Sequence, residues 1–104
     1  MGGVQMNRAL VLETVVRSPD GAGGFTESWA PLGTLWAAVE PVGSVTPRAK
    51  VFVRAMPNTS LARPVPGQRF REGGRFYVIR HVAALLSNAR VLVCFSDIEE
   101  EGAA

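Results

Sequence analysis

The sequence predicts a small all-β domain, a single-domain barrel or sandwich of about six short antiparallel strands with long loops. Eleven glycines and seven prolines among 104 residues exceed the usual share of roughly 12% for these two types and divide the chain into short segments. Several segments alternate apolar and polar residues, as half-buried strands do, and almost none has the helical period. We expect one domain, residues 1–104, with flexible ends at 1–6 and 97–104.

The first half of the chain contains three predicted strands. Residues 9–17 (ALVLETVVR) are rich in valine and leucine and form the first strand. Residues 18–24 (SPDGAGG) form a turn, because proline presets its own backbone angle and Asp-Gly favours positive φ. Residues 25–29 (FTESW) alternate as a strand does. A proline and a glycine then interrupt the pattern, and residues 35–42 (LWAAVEPV) form the next strand.

The second half adds one isolated strand, a hairpin and a final strand. Residues 50–55 (KVFVRA) alternate, with the two valines on one face. Residues 56–67 contain three prolines and are expected to form a long, exposed connection. Residues 68–71 and 75–84 flank a Glu-Gly-Gly corner and predict a hairpin. Residues 90–96 (RVLVCFS) form the last strand, and the acidic segment after them is expected to be a tail.

The apolar positions of these strands define a predicted core. Side chains that point inward recur at every second residue of a strand. Each apolar run therefore contributes the side chains of one strand face to the core. The residues expected to be largely buried are Leu10, Leu12, Trp36, Val39, Val51, Val53, Phe76, Val78, Val91 and Val93.

Charge is distributed unevenly along the chain. The net charge is only +2, but residues 48–90 contain nine basic residues and one acidic residue, whereas residues 91–104 contain four acidic residues and no basic one. This asymmetry predicts an anionic partner or head-to-tail pairing between chains. Arginines that merely solubilise strand edges are the alternative interpretation. A basic β-barrel also allows a second hypothesis, a stand-alone nucleic-acid-binding module.

Residues suited to catalysis are scarce. Cys94 and His81 are the single cysteine and histidine, and both lie in apolar runs, so we interpret them as a small buried hydrophobe and an edge or hydrogen-bonded histidine rather than a catalytic dyad. One cysteine excludes an internal disulfide and a cysteine-based zinc site. The glycine-rich segment 21–24 lacks the Lys-Ser/Thr of a phosphate-binding loop. We therefore expect neither an enzyme nor a cofactor.

An ordered set of motifs resembles a known family. A first strand is followed by Asp20, Gly23 and Gly24 of a D-x-x-G-G turn, then by Phe25, Trp29 and a W-A-x-V-x-P segment at 36–41; KVFVRA and PGQRFREGGRFYVIRHV follow. In this order, over about residues 7–96, the sequence resembles the phage head–tail joining proteins, also called head-completion or stopper proteins. It is most similar to the versions found in gene transfer agents.

The resemblance implies a β-barrel protomer without catalytic activity. It implies a homo-oligomeric ring, expected to be a hexamer, in the neck of a phage-like particle assembled in the bacterial cytoplasm. The implied partners are the adaptor or portal ring, the tail terminator and packaged double-stranded DNA, which lies along the axis and is bound without sequence preference. No membrane partner is implied.

Two groups of candidate site residues follow. Arg48, Lys50 and Arg54 are predicted to lie close to DNA in the lumen, because they belong to the basic block and adjoin the place where relatives carry a central insert. Only residues 42–50 fill that place here, so any DNA gate is expected to involve the connection at 56–67 instead. The candidate partner-interface residues are Trp29, Arg63, Arg69, Arg71, Glu99, Glu100 and Glu101.

Overall fold

The chain folds into one closed antiparallel β-barrel. The computed structural model describes residues 5–43, 45–56, 60–85 and 88–101. The strands are β1 (Arg8–Pro19), β2 (Phe25–Val42), β3 (Arg48–Arg54), β4 (Arg69–Glu72), β5 (Arg75–Leu85) and β6 (Asn88–Glu100). They close in the order β1-β2-β3-β6-β5-β4. The predicted all-β class is confirmed, and of the two predicted architectures the barrel is the one observed.

Side chains from all six strands fill the barrel. The alternation within each strand sends every second residue inward. The interior residues are Leu10, Leu12, Ala37, Ala49, Val51, Val53, Phe70, Tyr77, Ile79, Leu92 and Cys94. Tyr77 is fully buried, and its hydroxyl receives a hydrogen bond from Arg8 Nη2 at 3.2 Å. Arg8 in turn forms an ion pair with Glu72, which ties β1 to the end of β4.

A second apolar cluster lies on the outside of β3 and β6. Phe52, Val91 and Val93 are buried there, and Met6, Ala38 and Leu85 pack against them. Phe52 is opposite Val93 in the sheet, and Ala38 is opposite Phe52, so the cluster follows one row across three strands. Val91 and Val93 are therefore buried as predicted, but outside the barrel.

Trp36 is the clear error in the predicted core, because 64% of it is exposed. Its neighbour Ala37 points into the barrel, and the strand period therefore sends Trp36 outward. Val39, Phe76 and Val78 are half-buried, whereas Leu10, Leu12, Val51 and Val53 are buried in the barrel as predicted.

Strands β1 and β2 continue beyond the barrel as a two-stranded arm. The pairing of β1 with β2 runs from Arg8 opposite Ala37 to Pro19 opposite Phe25. Strand β4 pairs only with residues 11–13 of β1, and β3 pairs only with residues 37–42 of β2. We define residues 14–30 as the arm. It gives the molecule a long dimension of 56 Å.

The prediction of separate strands at 25–29 and 35–42 was wrong, since β2 is continuous over 18 residues. The register shifts at Leu12 and Glu13, which lie opposite Gly33 and Pro31, so Leu32 is the extra residue of a bulge. A bulge accommodates the interruption without ending the strand. The turn at the arm tip formed as predicted: Asp20 Oδ1 accepts hydrogen bonds from the backbone N–H of Ala22 at 2.7 Å and Gly24 at 3.0 Å.

The C-terminal segment also differs from expectation. Strand β6 includes residues 97–100, which pair with β5, and the backbone N–H of Glu101 donates to Gly74 O. The acidic residues thus belong to the sheet rather than to a free tail. In the β3–β4 connection, Pro64 is buried and Arg63 is half-buried, so this segment is less exposed than predicted. In the described part of the chain, no helix is long and apolar enough to cross a membrane.

Candidate interaction surfaces

The predicted DNA-proximal residues share one face of β3. Ala49, Val51 and Val53 point into the barrel, so Arg48, Lys50 and Arg54 point outward. Arg48 and Arg54 are exposed and Lys50 is half-buried. At roughly 3.3 Å per residue, the row from 48 to 54 is about 20 Å long. The structure thus brings these three cations to one surface, interrupted only by the buried Phe52.

A surface cavity adjoins one end of this basic row. It has a volume of about 420 Å³ and is lined by residues that include Val42, Arg48, Ala49, Arg80, Phe95 and Asp97. Asp97 lies between two arginines, with Arg80 Nε at 2.8 Å and Arg48 Nε at 3.9 Å from its carboxylate oxygens. One carboxylate therefore faces two guanidinium groups, which leaves the cavity with a net positive charge. We call this the β3–β6 cavity.

A buried ion-pair cluster lies at the base of the arm. Glu13 accepts hydrogen bonds from Arg69 Nε at 2.8 Å and from Arg71 Nε at 2.9 Å. The exposed fractions of these side chains are 8% for Glu13, 18% for Arg69 and 41% for Arg71. Burial alone would raise the pKa of Glu13, but the two arginines outweigh that effect and hold the pKa below its usual value. Glu13 thus joins β1 to β4 as a carboxylate.

Aromatic rings complete this cluster. The Arg69 guanidinium lies 4.0 Å from the ring centroid of Trp29 and 4.0 Å from that of Phe76. Cation–π contacts of this kind bind a side chain from the arm to the barrel. The structure therefore groups three predicted interface residues, Trp29, Arg69 and Arg71, around Glu13.

Glu13 was not among the predicted site residues. The signal that could have identified it is a single charged residue within the apolar run ALVLETVV, since a charge in such a position needs a partner.

The remaining predicted interface residues lie in two other places. Arg63 Nη1 donates a hydrogen bond to Met56 O at 2.6 Å within the β3–β4 connection. Glu99 and Glu100 are exposed on β6, where Glu100 pairs with Arg75 at 2.8 Å, and Glu101 follows directly. These contacts do not test the predicted role in partner binding. The three glutamates, which are consecutive at the end of β6, remain candidates for that role.

The geometry excludes a Cys94–His81 dyad. Cys94 points into the barrel, whereas His81 is exposed and its ring packs against Phe95 with centroids 5.7 Å apart. Burial raises the pKa of the Cys94 thiol to about 12, so the nucleophilic thiolate is scarce near neutral pH. Among the described residues, no cluster of His, Cys, Asp and Glu could hold a metal ion.

Comparisons with known proteins identify the family. The sequence profile of the phage head completion proteins matches residues 1–100. A solved chain described as part of the virion of a native gene transfer agent particle is 38% identical, with a TM-score of 0.79, over 97% of this chain and 100% of that chain. The comparison with curated protein sequences gave no significant match. The resemblance detected in the sequence is thus confirmed, and the chain belongs to the phage head completion protein family.

Proposed function

We propose that this protein is a structural head–tail connector in the neck of a phage-like particle. In this proposal it forms a homo-oligomeric ring, expected to be a hexamer, between the portal or adaptor ring and the tail terminator. The observation that carries the proposal is the 38% identity, over nearly the whole of both chains, to a chain of a gene transfer agent virion. The proposed role is structural and requires neither catalysis nor a cofactor.

The basic row on the outward face of β3, formed by Arg48, Lys50 and Arg54, supports a role beside DNA. Arg48 and Arg54 are exposed cations on one strand, and Lys50 lies between them. Three charges on a single protomer attract DNA weakly at physiological salt, where the Debye length is about 8 Å. In a ring the row is repeated around the axis, and the summed positive potential acts on DNA phosphates without reading sequence.

Contacts with the neighbouring rings are assigned to the predicted interface residues. Trp29 retains an exposed ring surface at the arm base, and Glu99, Glu100 and Glu101 are exposed at the end of β6. Arg69 and Arg71 already pair with Glu13 inside the protomer, so we expect neither to attract a partner mainly by charge. Arg69, which stacks on the Trp29 ring, is expected to position that ring instead. The β2–β3 connection is short, spanning only residues 43–47, which supports a DNA path without a long gating insert at this point.

The proposal is tested by separating ring formation from DNA retention. In particles carrying Arg48→Gln, Lys50→Gln and Arg54→Gln together, we expect packaged DNA to leak even from those particles that have incorporated the ring. The control, Arg17→Gln with Arg75→Gln, removes two cations from exposed ion pairs elsewhere and should leave retention unchanged.

Two outcomes count against the proposal. If the triple variant is poorly incorporated but DNA is retained normally, the placement of Arg48, Lys50 and Arg54 in the lumen is refuted. These residues would then lie at an interface between proteins. Salt-dependent DNA binding by the isolated monomer, together with its absence from the particle, would favour the stand-alone nucleic-acid-binding module instead.

A further inference from the structure

The arm exposes apolar side chains that its own protomer does not cover. Phe25 at the tip is 65% exposed, and Val15 and Val16 are exposed along the arm. In the described part of the chain, residues 14–19 pair only with residues 25–30. A two-stranded ribbon is marginally stable by itself, so an arm of this kind gains stability when another surface covers it.

The arm tip cannot reach the β3–β6 cavity of the same protomer. Phe25 and Val42 are the first and last residues of β2, and Val42 lines the cavity. A fully extended strand of that length is about 55 Å long, and even with the bend at the bulge its two ends lie tens of ångströms apart. Any contact between tip and cavity must therefore join two copies of the chain.

Size and charge make the tip and the cavity complementary. The cavity volume of about 420 Å³ exceeds the roughly 150 Å³ that holds a benzene molecule, and the side chains of Val42 and Phe95 supply apolar walls. The two arginines around Asp97 leave the cavity positive. The arm has the opposite excess: Arg17 is paired with Glu27, and Asp20 supplies a further negative charge at the tip.

Hydrogen bonds from two backbone N–H groups lower the pKa of Asp20, so this carboxylate is ionised at neutral pH.

We propose that the arm tip of one copy docks into the β3–β6 cavity of the next copy, with the Phe25 ring between the apolar walls and the Asp20 carboxylate facing Arg80. The contact joins different surfaces of the two protomers, so it is heterologous and propagates in one direction. A chain of such contacts closes into a ring when the rotation permits. The inference rests on the proposed function for the ring and adds the contact that builds it.

A photo-cross-linker at position 25 tests the contact directly. The full-length protein carries p-benzoylphenylalanine in place of Phe25, which keeps an aromatic side chain at the tip. We expect irradiation of particles, and of concentrated protein, to join position 25 to peptides containing residues 42–49 or 95–97. A mixture of ¹⁴N- and ¹⁵N-labelled protein identifies cross-links between copies by their mixed-isotope mass.

Two variants establish specificity. Phe25→Ala should reduce ring incorporation about tenfold or more, as expected when an aromatic anchor leaves an interface. Val42→Trp should reduce the yield of the cross-link by filling the cavity, while thermal unfolding checks that the barrel remains intact. The control is Leu61→Ala, which removes an apolar side chain in the β3–β4 connection that is 82% exposed, against 65% for Phe25.

The outcomes separate this inference from the proposed function. Cross-links from position 25 to an adaptor or tail protein, or to another face of the chain, would overturn the docking and leave the connector role standing. Normal incorporation of Phe25→Ala would overturn it too. Absence of the wild-type protein from the particle neck would refute the proposed function itself, whereas mixed-isotope cross-links at the cavity in concentrated protein would still support the docking.

Discussion

Replacing Glu13 with glutamine isolates the buried ion-pair cluster at the arm base. The substitution keeps the shape of the side chain and removes its charge. Glu13 accepts two charge-assisted hydrogen bonds, at 2.8 Å from Arg69 and 2.9 Å from Arg71. Such bonds contribute about 1.5–3 kcal/mol each when shielded from water. The ion pair with Arg71 stabilises less, because 41% of the Arg71 side chain is exposed and water screens the charges. A screened pair of this kind contributes about 0.5 kcal/mol.

The expected loss of unfolding free energy for Glu13→Gln is therefore about 2 kcal/mol. Glutamine retains one acceptor oxygen, which reduces the loss, whereas the uncompensated charge of Arg69 increases it. In a domain of this size, a change of about 2 kcal/mol lowers the Tm by about 8–16 °C. Denaturant unfolding at pH 7, followed by tryptophan fluorescence, measures the free energy directly.

Glu27→Gln is the matched control. Glu27 accepts a hydrogen bond of 2.9 Å from Arg17 in the arm, but 54% of its side chain is exposed. The same substitution there should cost no more than about 0.5 kcal/mol, because water screens the pair. Equal effects at positions 13 and 27 would refute the argument that burial gives the Glu13 cluster its strength.

The pH dependence gives an independent check. The pKa of Glu13 is lower in the folded state than in the unfolded chain, where a glutamate titrates near 4.3. The stabilisation is therefore complete above the unfolded pKa and is lost as the pH falls through the folded pKa. The difference between wild type and Glu13→Gln should be constant from pH 6 to 8 and shrink below about pH 4. A difference that grows in acid would contradict the assignment.

Three further predictions concern the barrel. Val93→Ala, which removes methyl groups from the cluster outside β3 and β6, should cost about 1–3 kcal/mol in unfolding free energy, whereas the exposed Val45→Ala should cost nothing measurable. Cys94 should resist maleimide labelling at pH 8 in the native protein and react fully in denaturant, and rapid native labelling would contradict its burial. Deleting residues 97–104 should lower the Tm by removing Asp97, Ile98 and the Glu101–Gly74 backbone hydrogen bond from the end of the sheet; a Tm equal to that of the full chain would mean that this part of β6 adds no stability.

The local pattern of the sequence determined where most of the strands lie, the turn at the arm tip and which neighbouring residues point to opposite faces. Alternation in KVFVRA places Val51 and Val53 on one face and Lys50, Phe52 and Arg54 on the other, and the barrel retains that division. Proline, aspartate and glycine at 18–24 specify a tight turn by their own backbone preferences. The order of these motifs also sufficed to predict the family.

Tertiary structure decided which face of each strand is covered and which distant residues meet. Trp36 looks like a core residue by hydrophobicity, but closure of the barrel turned Ala37 inward and left Trp36 exposed. Phe52, by contrast, is buried on the outward face because Met6 and Leu85 pack there. Glu13 contacts Arg69 and Arg71, which lie 56 and 58 residues further along the sequence. Period-two patterns contain no information about strand order or about the register between distant segments. Strand pairing and the bulges within it set these contacts.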